Sequence, residues 1–141
     1  MNLEIINYPV LFIAALIPVV LGMLWYSRFL FGKRWMQLEN VTPEMAEELR
    51  KKPMAKKIVI SYITYLFISY ALMVLVNYLV IAAIIPAVTL GVVVWLGFMV
   101  PAAISDYICS PHKKAWGVYY IHISYYFVSV VLMSIVVALW A

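Results

Sequence analysis

Residues 58–105 form a run of 48 positions without a single Asp, Glu, Lys or Arg. A helix crosses a hydrocarbon core of about 30 Å with about 20 residues. The run is too long for one crossing and reads as two spans joined by a tight reversal. The reversal is expected over residues 81–86, where Pro86 cannot continue one helix but can open the next. That places the second span at about 58–79 and the third at about 86–108. Two further apolar windows, 6–26 and 116–139, give a first and a fourth span. The whole chain of 141 residues is 67% hydrophobic and 11% charged, against about 45–50% and about 25% in soluble domains. So little charge cannot solvate a surface around a water-soluble core. A cytosolic enzyme, a disordered tail and a nucleic-acid module are excluded on this ground. The expected fold is all-α: one membrane domain over residues 1–141, a bundle of four transmembrane helices. The first window is not read as a secretory signal, because no Lys or Arg precedes it and it ends in Trp25-Tyr26 rather than in small residues.

The charges set the orientation. Arg28, Lys33, Arg34, Arg50, Lys51, Lys52, Lys56 and Lys57 fall between spans one and two, and Lys113 and Lys114 between spans three and four. These account for all ten Lys and Arg residues. Short loops rich in Lys and Arg stay in the cytoplasm, so both loops are expected inside and both termini outside. One-sided charge also argues against dual topology, and any homo-oligomer is expected to be parallel. Trp25, Tyr26, Trp35, Tyr107, Trp116 and Trp140 fall near the expected membrane–water boundaries, where amphipathic rings are enriched. Trp95 falls mid-span.

The loop over residues 27–57 has two parts. Residues 29–36 mix large apolar side chains with basic ones, a composition that lies in the interface with rings down and cations toward phosphates. Phe31, Lys33, Arg34 and Trp35 are the candidate lipid-contacting residues there. Residues 43–52 read as a short helix capped by Thr42, opened by Pro43 and ended by Pro53. The plainest role for this loop is a topology determinant; binding of anionic lipid or of a partner is the sharper one.

The segment Leu21-Gly-Met-Leu-Trp-Tyr-Ser27, followed by Leu30-Phe-Gly-Lys-Arg-Trp35, resembles the signature of a family of small four-helix membrane proteins catalogued as domain of unknown function 1761. That signature runs roughly Gly, then Trp-Tyr-Ser-Pro, then Phe-Gly-Lys and a Trp. The stretch Ile121-His-Ile-Ser-Tyr-Tyr-Phe-Val-Ser129 is similar to the family's Ile-Asn-Ala-Gly-Tyr-His-Leu-Val-Ser, and a Trp near the C-terminus recurs as Trp140. Arg28 stands where the family has Pro, His122 where it has Asn, and Tyr126 where it has His. The resemblance covers essentially the whole chain and implies fold and location; it implies no activity.

Polar side chains in hydrocarbon need partners and tend to face the bundle interior. At about 100° per residue, Ser61, Tyr62, Tyr65 and Ser69 share one face of span two. Tyr119, His122, Tyr125, Tyr126 and Ser129 spread over about 120° of span four. Ser105 and Asp106 close span three. All fall in the cytoplasmic half; the outer half is almost purely aliphatic. Three readings follow, in order: hydrogen bonding between helices, a pocket for a lipid head group or small amphipathic molecule, and a proton or ion relay through His122 and Asp106. Small residues predict close helix approach at Ala14, Pro18 and Gly22 on span one and at Ala87 and Gly91 on span three. Pro18 and Pro101 are expected to kink their helices.

No serine–histidine–acid set, paired carboxylates or metal trio is visible, and the single cysteine, Cys109, excludes an intrachain disulfide and dithiol redox chemistry. No cofactor and no enzymatic activity are expected, and no feature identifies a protein partner. The chain reads as a multi-pass plasma-membrane protein, structural or accessory through helix and lipid contacts; the alternative is a binder or transporter of a lipid or small amphipathic molecule using the polar cluster. Lipids are the expected partners. In the expected orientation, a membrane-impermeant maleimide will modify Cys109 only after cells are permeabilised; modification in intact cells would reverse the topology.

Overall fold

A computed structural model describes residues 6–112 and 114–140; Lys113 lies outside them. Seven helices follow in order: α1 (Tyr8–Trp25), α2 (Gly32–Leu38), α3 (Pro43–Lys51), α4 (Met54–Tyr78), α5 (Ile84–Val94), α6 (Val100–Cys109) and α7 (Trp116–Trp140), with a π-helical turn, Trp95–Met99, between α5 and α6. Four segments are long and apolar enough to cross a membrane: Tyr8–Trp25, Met54–Tyr78, Ile84–Cys109 and Trp116–Trp140. Their outward faces are apolar, as a lipid-facing surface requires: Phe12, Leu16, Phe67, Leu96 and Phe98 are all exposed.

Helix ends follow local chemistry. Asn7 caps α1, its side chain accepting from the Val10 amide at 3.3 Å, and Thr42 caps α3 in the same way through the Met45 amide. The α3 bounds fall within a residue of the expected 43–52. The second span begins four residues before the expected Ile58, because Pro53 supplies an extended N-cap and nothing between it and Ile58 breaks the helix. The reversal falls earlier than expected. It centres on Val80, at φ 54°, where the Ile81 amide donates to the Val76 carbonyl at 2.9 Å. This wraps the last turn of α4 in the manner of a Schellman motif. The third span therefore starts at Ile84, with Pro86 inside its first turn rather than at its first residue. Within residues 29–36, read from sequence as an interfacial segment, a short helix opens at Gly32 and runs to Leu38.

The fourth span is the centre of the bundle. α7 packs against α1, α2, α4, α5 and α6, and 44% of its membrane window is buried, against 28% or less in the others. α1 and α4 pack on each other and on α7; α5 lies along α7 on the other side. α5 and α7 approach closely at Gly91, where an added Cβ would sit 2.9 Å from Val131 Cα. Ala14 and Pro18 are fully buried on α1. The largest apolar core joins Val10, Leu11 and Ala14 to Leu72, Met73 and Val76, to Ala87 and Leu90, and to Met133, Val137 and Ala138. All of these lie toward the α4–α5 reversal. The Asn7 side-chain amide donates to the Trp140 carbonyl at 2.8 Å, so the start of α1 and the end of α7 meet at that same end, called here the hairpin end. The basic loops lie at the opposite, basic end.

The third span changes character midway. Pro101 has no amide hydrogen for the Gly97 carbonyl, and its ring crowds that carbonyl. The backbone responds with a wide turn in which the Val100 amide reaches back to the Trp95 carbonyl, the inserted residue of a π bulge. The kink expected from Pro101 takes this form. Before it α5 packs closely on α7; beyond it α6 touches α7 far less and has no extended packing against α4. Gly97 sits in this loose region, and a Cβ added there would have nothing within 4 Å. Replacing Gly97 with Ala is expected to be neutral or to stabilise by up to about 1 kcal/mol through helix propensity, whereas Gly91→Ala will destabilise by about 1–3 kcal/mol through overpacking against backbone. Thermal unfolding of the detergent-solubilised variants checks the contrast.

Candidate functional site

The expected polar cluster divides in two across α7. One part joins helices. The Tyr125 hydroxyl donates to the Pro18 carbonyl at 2.6 Å and shares a 2.9 Å hydrogen bond with the Tyr65 hydroxyl. A hydroxyl has one proton, so Tyr65 is the donor in that pair. Ser69 donates to the Leu11 carbonyl at 2.9 Å and Tyr62 to the Phe12 carbonyl at 3.2 Å. These side chains bond α4 and α7 to α1. Ser129 is buried beside them on α7. In the hairpin-end half, Thr89 and Ser134 add two hydroxyls that the sequence reading passed over. Each returns to its own helix, at the Ile85 and Val130 carbonyls, 3.0 and 2.8 Å away.

The second part lines a cavity of about 450 Å³ between α4 and α6, with α7 as its back wall. Tyr65, Asp106, Tyr119, His122 and Tyr126 from the expected cluster border it. Ser61 and Ser105 border neither this cavity nor the bonded set. The reading from sequence missed Thr64, Ile68, Met99, Ala102, Ala103, Tyr107, Lys114 and Val118 on its walls. Most of these are apolar, and only the splaying of α6 exposes them to a shared space. The floor at the basic end is aromatic. Tyr107 stacks at 4.5 Å on Trp116 and lies 5.9 Å from Tyr119, and its hydroxyl donates to the Lys114 carbonyl. Trp95 explains its mid-span position by its bonds: its indole N–H donates to the Ile123 carbonyl at 2.8 Å and its ring packs on Phe127.

His122 Nδ1 is hydrogen-bonded to the Tyr26 hydroxyl, so its direct partner lies on the α1–α2 corner and is not Asp106. That corner is a compact fold. The Phe31 amide donates to the Trp25 carbonyl and the Gly32 amide to the Ser27 carbonyl, both at 3.0 Å. A Cβ on Gly32 would come within 2.4 Å of the Tyr26 carbonyl oxygen, so only glycine fits. Trp25 packs on Phe31 at 4.8 Å, Tyr26 meets Trp35 edge-on at 6.3 Å, and the Trp25 indole donates to the Ile121 carbonyl at 3.2 Å. Trp35 is therefore half-buried against the bundle. Lys33 and Arg34 are exposed, Phe31 is partly exposed beside Trp25, and Phe29 is 97% exposed. The two segments that carry the family resemblance, around Trp25–Trp35 and Ile121–Ser129, thus lie against each other. Among the described residues no three His, Cys, Asp or Glu side chains gather to hold a metal ion.

Fold and site define a small helical bundle with four apolar spans, sealed at the hairpin end and open between two helices at the basic end. The chain belongs to the family described as protein of unknown function (DUF1761), whose profile matches residues 10–138. No curated protein and no solved structure matches the chain significantly. Because Tyr125 bonds two other helices, Tyr125→Phe is expected to lower stability by about 1 kcal/mol, at about 0.6 kcal/mol for each intramembrane hydrogen bond. Unfolding of the purified protein against a denaturant series measures it.

Proposed function

We propose that this chain is a multi-pass protein of the plasma membrane, with both termini outside, that binds a membrane lipid or a small amphipathic molecule in the cytoplasmic half of its bundle. The observation that carries the proposal is the cavity between α4 and α6. Its volume of about 450 Å³ lies in the range of small-molecule sites, about 300–1,000 Å³. Its deepest residues lie near mid-span. Ile68 lies ten residues beyond Ile58, and Met99 ten residues before Cys109. At about 1.5 Å per residue, both sit about 15 Å from the basic end, half of a hydrocarbon core of about 30 Å. The chemistry is graded along that depth. Ile68, Met99, Ala102 and Ala103 present apolar surface for a chain, while Asp106, Tyr107 and Lys114 present polar groups at the basic end. Thr64, Ala102 and Asp106 are exposed at the mouth, so entry is sideways, from the bilayer.

A path through the whole membrane is not supported, because the hairpin-end half is filled by the apolar core around Leu72, Met73 and Met133. A second reading, an accessory protein working through lipid contacts alone, is favoured by the protruding Phe29 with the exposed Arg28, Lys33 and Arg34 around it.

Native mass spectrometry of the protein extracted with its own lipids tests the proposal. A bound molecule at fixed stoichiometry is expected. Filling the cavity with Ala103→Trp should reduce that bound species about tenfold, the loss of roughly 1.4 kcal/mol of binding. Val93→Trp, on the exposed outer face of α5, should leave it unchanged. Equal retention in both variants would remove the cavity from consideration.

A further inference from the structure

We propose that the cavity selects amphiphiles whose head group carries a phosphate and an ammonium together; this rests on the cavity being a lipid or amphiphile site. Asp106 and Lys114 border the same cavity, yet they form no ion pair with each other among the described residues. One contact ties the segments that carry them. The Tyr107 hydroxyl, on the residue next to Asp106, donates to the carbonyl of Lys114 itself, so the loop that carries the cation is tied to the helix that carries the anion.

A single-signed head group meets one of these charges well and the other badly. An anionic group near Lys114 stands close to the Asp106 carboxylate. A cationic one near Asp106 stands close to the Lys114 ammonium. Charge interactions strengthen as the surroundings lose water, and a head group seated between the two side chains displaces water from both. A zwitterion satisfies both at once, its phosphate toward Lys114 and its ammonium toward Asp106. The aromatic lining suits the cationic part of such a head group. Tyr65, Tyr107, Tyr119 and Tyr126 all border the cavity, and tyrosine rings attract ammonium groups. The apolar walls above take the tails.

The test offers the purified full-length protein an equimolar mixture of four dioleoyl lipids in native mass spectrometry: phosphatidylethanolamine, phosphatidylglycerol, a trimethylammonium-propane and diacylglycerol. Phosphatidylethanolamine is expected to be retained about tenfold over diacylglycerol. Asp106→Asn should shift preference toward phosphatidylglycerol, and Lys114→Gln toward the cationic lipid. These opposite shifts are not produced by loss of packing, and the thermal midpoint of each variant confirms that it remains folded. Displacement by free phosphoethanolamine would identify a soluble zwitterion as the source; retention in its presence would identify the bilayer lipid. Comparable retention of all four lipids, unchanged in both variants, overturns the head-group selectivity while leaving the cavity as a lipid site. Retention of none of them overturns the cavity reading and this inference together.

Discussion

Three helices meet at one hydroxyl. Tyr125, on the central helix, gives its proton to the carbonyl of Pro18 on α1 and receives one from Tyr65 on α4. In an apolar medium helices gain nothing from hiding apolar surface from one another, so close packing and a few such bonds hold them together. The bonds of Ser69 and Tyr62 to the backbone of α1 extend the same seam. Along it α1, α4 and α7 form a fixed unit, and the position of everything else is set by how it attaches to α7. Gly22 belongs to this arrangement: a Cβ there would lie 3.1 Å from the Tyr125 hydroxyl, so the small residue keeps the junction close.

The third span attaches differently in its two halves. Gly91 and Ala87 let α5 lie directly on α7. The π turn ends that contact, and the small residues of α6, Ala102 and Ala103, border the cavity. Pro101 thus has a structural consequence beyond its own helix. By widening one turn it separates a filled half from an open half, and Asp106, Lys114, Tyr119 and Tyr126 border the open one.

Much of this was legible in the sequence. The uncharged run over residues 58–105, the apolar windows and the small-residue stripes depend on length, hydropathy and periodicity, and the helices follow them closely. The boundaries moved where local chemistry outweighed hydropathy, as at Pro53 and Val80. The candidate site was legible in part. Angular arithmetic gathered Tyr119, His122, Tyr125, Tyr126 and Ser129 on one broad face. A spread of about 120° is wide enough to meet two neighbours, and the structure divides it between α1 and the cavity. The apolar wall residues, Ile68, Met99, Ala102 and Ala103, carried no signal, because in a membrane span an apolar residue that lines a cavity has the same sequence as one that faces lipid. The pairing of Tyr26 with His122, 96 residues apart, has no local signature either.

The filled core at the hairpin end gives the molecule a stiff end and a loose one. α4 runs unbroken through both, 25 residues from Met54 to Tyr78, and joins α3 through Lys52 and Pro53 alone. Yet Tyr62, Tyr65 and Ser69 tie its basic-end half to α1 and α7. The cavity therefore has one wall anchored by the seam and one, α6, attached mainly through its own helix, so the width of the opening is a property of α6 and not of the fold's packed end.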